Sequence, residues 1–376
     1  MARRFAPWAA ALAAALALGA CSSPKGPEPA PLPELVHPKE VKLLWSADAG
    51  PGDRFTFFPA VAGNAVYVAS REGDVTRLDA AKGDQIWSTD TERRLSGGVG
   101  ADSRTVAVAT EEGEVIALDA ESGKVRWRAR ASSEVLTPPT VAAGLVVVRS
   151  IDSRIFGFGA DDGKRRWVYQ RAAGALFLRV PNNVAVAADT AYGGFSGGKL
   201  VAVALQNGAQ RWEATVALPK GANELERVSD VVGEPALQGR EICAASYQGR
   251  AACFETESGK LLWARDVSTV TGLSADSRYA FVADEHGTLQ AFDRSNGATI
   301  WKQEKLANRQ LSLPLPTGAL VVVGDLEGEV HFLDRDTGNF VTRYSTRGGP
   351  VLAAPVALPN GILVQTQDGG LYALAP

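Results

Sequence analysis

Glu112-Gly113-Glu114-Val115-Ile116-Ala117-Leu118-Asp119-Ala120-Glu121-Ser122-Gly123-Lys124-Val125-Arg126-Trp127 is one period of a pattern that fills the chain. Thr105 to Thr110 ahead of it reads as a strand, and Glu112-Gly113 as a tight turn in which glycine takes a positive φ. Val115 to Leu118 returns as a second strand. Asp119 to Gly123 forms another turn, where Asp can accept bonds from nearby amides. Arg126 and Trp127 belong to a third strand, and a weaker segment around Leu136 to Val141 supplies a fourth. A four-stranded sheet this short cannot hide both faces alone, whereas sheets stacked radially bury both.

The same pattern recurs from Glu72 to Trp87, Asp152 to Trp167, Gln248 to Trp263, His286 to Trp301 and Glu327 to Tyr344, with a degenerate copy ending at Trp212. Trp45, Trp87, Trp127, Trp167, Trp212, Trp263 and Trp301 are separated by 42, 40, 40, 45, 51 and 38 residues, and Tyr344 follows 43 residues later in the eighth equivalent place. The aromatic residues are read as packing pieces wedged between blades, each indole N–H seeking a backbone acceptor. Gln367 to Leu374 opens a further copy but stops before its aromatic residue, and Val41-Lys42-Leu43-Leu44-Trp45 is the missing half. These two ends predict an all-β, eight-bladed propeller of four antiparallel strands per blade, with the N-terminal strand completing the last blade. Seven blades remain open if the irregular region between Trp167 and Trp263 fails to form two.

Residues 1–39 are a different object. Arg3 and Arg4 precede a short apolar run from Ala9 to Ala17, which reads as a signal peptide over residues 1–20. Leu18-Gly19-Ala20-Cys21 resembles a lipobox, making Cys21 the expected lipidation site. Six prolines from Pro24 to Pro38 make residues 21–39 an extended tether, with a single propeller domain over residues 40–376. Removing residues 1–20 takes two of the 39 basic residues and none of the 42 acidic ones, moving the formal charge from −3 to −5. With no basic run or basic-aromatic stripe, nucleic acid is an unsuitable partner.

Chemistry-bearing motifs are sparse. His37, His286 and His331 are far apart and assigned to linker or hairpin positions, so no metal ligand set is visible, and no phosphate or dinucleotide loop is present. Asp79, Asp119, Asp161, Asp293 and Asp334 read as turn residues, and Gly193 to Gly198 as a flexible hairpin. Neither a cofactor nor catalysis is expected. Cys243 and Cys253 flank a hairpin on adjacent strands and are read either as a disulfide or as two small buried thiols. Departures from the repeat mark where individual function can reside. These are 174–181, which resembles the start of a strand with Phe177 facing opposite to Leu176 and Leu178, and the long insertion 218–230.

Lipobox, proline-rich tether and eight G-x-[LV]-x-A-x-[DN]-x-x-[ST]-G-x-x-x-W repeats together resemble the BamB family, propeller lipoproteins of the outer-membrane β-barrel assembly machine. The resemblance implies a non-enzymatic scaffold on the periplasmic face of a Gram-negative outer membrane. It would bind periplasmic domains of the central barrel component and assist unfolded outer-membrane clients. It also implies partner contacts through a Leu-x-Leu-Arg segment, matched by Leu176, Leu178 and Arg179, and through an acidic-basic segment matched by Glu224 to Val232, which contains Glu226, Arg227 and Asp230. Val232 stands where that segment ends in Asp. The competing readings are a lipoprotein scaffold of another envelope complex and, from the quinoprotein-like repeat, a quinone-dependent dehydrogenase.

Overall fold

In a computed structural model, residues 27–172, 174 and 176–376 are described. They form eight four-stranded antiparallel sheets. The first seven follow chain order, from blade 1 (Ala60–Ala62, Ala65–Ala69, Asp74–Asp79, Gln85–Asp90) to blade 7 (Leu315–Thr317, Leu320–Gly324, Glu329–Asp334, Phe340–Ser345). Blade 8 is made of Val356–Leu358, Gly361–Gln365 and Gly370–Ala375, and Lys42–Asp48 is its outermost strand. Trp45 pairs with Ala373, and Asp48 with Gly370. The region between Trp167 and Trp263 forms blades 4 and 5 in full, which excludes seven blades.

The weak strand expected to follow each Trp strand belongs to the next blade. Thr140–Ala142 pairs with Leu145–Ser150 as the innermost strand of blade 3, after Pro138 and Pro139 have interrupted pairing with what came before. Innermost strands contact one another in sequence around the axis, including that of blade 1 with that of blade 8. They enclose a channel of about 590 Å³ with mainly apolar walls.

The reason for the repeated Trp is explicit. Trp127 Nε1 donates to Ala160 O at 2.8 Å, across the boundary from blade 2 to blade 3. Trp45, Trp87, Trp167, Trp212, Trp263 and Trp301 each make the same bond to the next blade. The turn beneath each ring needs glycine. A Cβ on Gly123, whose φ is +72°, would lie 2.7 Å from the Trp87 ring. Tyr344 breaks the series because blade 8 has chain ends where the other blades have that turn, and its ring packs against Tyr372 at 6.3 Å instead.

Two polar assignments change. Gly159 holds the turn position expected for Asp161, which instead pairs with Arg126 of the preceding blade. His331 lies in the third strand of blade 7, fully buried, not in a hairpin. Its Nε2 is 2.9 Å from Asp325 Oδ2, which also accepts from Arg309 Nε at 2.6 Å. Nδ1 has no partner, which suits a neutral ring whose Nδ1 carries only a lone pair.

Burial holds the His331 pKa below the ordinary imidazole value of 6.5, outweighing the opposing pull of Asp325. Below about pH 6.5 the unfolded chain therefore takes up a proton that the folded chain refuses. Stability should fall on acidification through that range, by at most about 1.4 kcal/mol per pH unit. Urea midpoints at pH 7.5 and 5.5 should separate in the native protein and draw together in His331→Gln.

Candidate functional site

Each blade runs as a four-stranded meander, so the links between blades and the turns between second and third strands share one face of the disk. Both irregular segments are such links: 171–183 joins blades 3 and 4, and 216–230 joins blades 4 and 5. Among the described residues of the first, no strand begins before Val184, and Pro181 has no N–H to give a ladder. Strict alternation therefore fails: Leu176 and Phe177 are both exposed, and Leu178 is half-buried.

Among the described residues, one bond joins the two segments. Leu178 N donates to Asp230 Oδ2 at 2.6 Å. Asp230 is buried, and that burial raises its carboxyl pKa despite the Leu178 amide and the nearby Arg149 charge. Arg149 is itself pushed down to about 10 by burial and lies over the Phe195 ring. Asp230 thus links the two loops from a buried position.

Arg179 does not pair with Glu226 or Asp230. Its Nη2 donates to Glu134 Oε1 at 2.7 Å, leaving the guanidinium more than half exposed. Glu226 closes its own loop, accepting from the Ala222 amide at 2.7 Å and from Asn223 Nδ2 at 2.8 Å. Arg227 Nε donates to Gly221 O at 3.1 Å. The Gln248 carboxamide, turned with its nitrogen toward the loop, donates to Glu226 O and Val228 O from the neighbouring hairpin.

These polar residues shape a loop that exposes Lys220, Asn223, Glu224, Glu226 and Arg227 and, among them, two leucines. Leu218 is 65% exposed and Leu225 72% exposed, and the first segment exposes Leu176 at 45% and Phe177 at 37%. Leu218, Leu225 and Glu134 were not singled out by the sequence. An isolated Leu in a polar stretch carries no periodic signal, and Glu134 comes from a different repeat. Nearby on blade 5, register sets Cys243 opposite Cys253 with Cα atoms 4.0 Å apart, and their sulfurs are bonded. Cys21 lies outside the described residues.

The axial channel is a poorer site. Glu234 projects from blade 5 into it, bonded only weakly to Asn183 at 3.5 Å. No group of three or more His, Cys, Asp or Glu residues suited to a metal occurs among the described residues.

A family profile described as outer membrane protein assembly factor BamB matches residues 36–92 and 71–303. The chain belongs to the BamB family. It is 41% identical to the outer membrane protein assembly factor BamB of Burkholderia pseudomallei, over 100% of this chain and 99% of that one. Identity to the Pseudomonas aeruginosa BamB is 47%, covering 97% of each. The crystal structure of BamB from Moraxella catarrhalis superposes with a TM-score of 0.82 at 26% identity, covering 90% of this chain and 100% of that one.

Proposed function

We propose that this chain is a non-enzymatic scaffold in outer-membrane protein assembly, and that the linked loops of blades 3 to 5 receive the periplasmic part of the central barrel component. In this reading residues 1–20 direct export, Cys21 carries the lipid, and the propeller sits on the periplasmic face of the outer membrane. Family membership supports the assembly role. The Leu178–Asp230 bond supports the choice of surface, because it ties together two segments that each carry exposed apolar residues, Leu176 and Phe177 on one and Leu218 and Leu225 on the other.

Apolar groups on a pre-shaped loop are suited to binding, since little ordering remains to oppose association. Arg179 adds a directional charge that Glu134 keeps in place without burying it. Asp230 acts by joining the loops, while Glu226 and Arg227 shape their own loop and stay exposed on it, available to the partner.

Affinity purification of the membrane-extracted protein should recover the central assembly component. Recovery of a different envelope complex would overturn the assignment. Phe177→Ser and Leu225→Ser should each weaken that association by roughly tenfold, corresponding to about 1.4 kcal/mol, with melting temperature unchanged. Equal affinities in native and variant proteins would show that the partner docks elsewhere.

A further inference from the structure

The tether does not run free to the first strand. Ala30 N donates to Ala307 O at 2.9 Å, in the link between blades 6 and 7. Ala30 O accepts from Arg309 Nη1 at 2.8 Å, and Glu28 O accepts from Asn308 Nδ2 at 3.2 Å. Both backbone groups of Ala30 are thereby satisfied by the body, as one residue of an added strand would be. Further along, Lys39 O accepts from Thr342 Oγ1 at 2.5 Å on the outer strand of blade 7, so the chain crosses that rim before entering blade 8.

The receiving group is rigid. Arg309 is only 2% exposed, and its other nitrogens are occupied by Asp325 at 2.6 Å and Glu327 at 2.5 Å. A guanidinium held in that way aims its remaining donor in one direction at little entropic cost. Pro27, Pro29 and Pro31 keep the incoming segment extended and remove competing amides. A preset donor and a preset acceptor strand form a built site.

We propose that blade 7 carries a clamp for the chain's own Glu28-Pro29-Ala30 segment, and that this clamp makes the rim of blade 7 the membrane-proximal edge of the propeller. The orientation rests on lipidation at Cys21; the clamp does not. Without it, 18 residue steps separate Cys21 from Lys39, an extended reach of about 60 Å; with it, seven steps reach Glu28, about 24 Å. Blade 7 lies across the eight-membered ring from blade 3, and its clamp is on the same face as the loops of blades 3 to 5. The short leash therefore keeps those loops at the far rim of a disk whose near rim is tied down.

The test uses the full mature chain in lipid vesicles, with the acyl groups on Cys21 verified by mass spectrometry. Ala30 supplies the lone amide between Pro29 and Pro31, so hydrogen exchange there reads the clamp directly. Protection of more than tenfold over an unstructured peptide is expected, falling about tenfold in Asn308→Ala, which leaves the Arg309 pairs untouched. A label at Lys220→Cys should show a narrow distance distribution to the bilayer that broadens in Ala30→Pro. Unprotected exchange at Ala30 overturns the clamp, and an unchanged distribution in Ala30→Pro overturns the orientation. A chain recovered without acyl groups overturns the lipid reading and the orientation with it, while exchange at Ala30 in that chain still decides the clamp.

Discussion

Trp127→Ala should destabilise the protein by about 3–5 kcal/mol, the range for deleting a large buried aromatic ring. The Trp127 side chain is 8% exposed and fills the seam between blades 2 and 3, with the Phe158 ring 6.4 Å away. Three losses coincide. The seam loses its apolar contact, a cavity opens over Gly163, and Ala160 O gives up the indole donor at 2.8 Å. Trp127→Phe separates these effects, since it retains most of the area and removes only the bond, at about 1 kcal/mol. Denaturant unfolding of the two variants should rank them in that order. Equal stability of Trp127→Ala and the native protein would mean that the seam is not held by its aromatic residue.

Ala373→Pro should cost about 3 kcal/mol or more and open the ring. Ala373 sits in the third strand of blade 8, paired with Leu363 on one side and with Trp45 on the other. Proline there removes a ladder donor and crowds the strand that carries the N-terminal segment. Amides of Lys42–Asp48 should then lose exchange protection before those of blades 2 to 6, because only the closing sheet has lost its partner. Uniform loss across all blades would show instead that the ring unfolds as one unit.

Most of the architecture was legible because it repeats. Seven Trp residues at near-constant spacing, each followed by a glycine turn one blade later, leave little freedom in where the sheets fall. Even the exception was informative: a ring closed by two chain ends lacks one turn, and Tyr344 stands at that boundary. The fourth strand was placed on the wrong blade because a strand of three residues, Thr140–Ala142, carries almost no pattern of its own. Asp161 was misaligned because Gly159 occupies the expected Asp position.

The candidate surface was only partly legible, for a physical reason. Whether Leu176 or Leu178 faces solvent depends on the bond from Leu178 to Asp230, 52 residues away, and no local rule reports it. Asp230 and Glu226 read as partner contacts in a charge pattern, and the pattern does not report that Asp230 Oδ2 accepts from Leu178 N or that Glu226 accepts from Ala222 N within its own loop. Arg309 offered no signal at all. A single Arg between Asn308 and Gln310 reads as a surface residue until Asp325 and Glu327 are folded against it.

Pairing Lys42–Asp48 with Gly370–Ala375 also sets a schedule. On the proposed export by residues 1–20, N-terminus first, the opening strand is delivered long before the segment it must meet, so the eighth sheet forms only once Gly370–Ala375 has crossed. During that interval an unsatisfied strand and a half-built sheet stand exposed in the periplasm, where edge pairing with other chains competes. Ring closure is then governed by the arrival of Gly370–Ala375, and holding factors that shield the early strand should speed it.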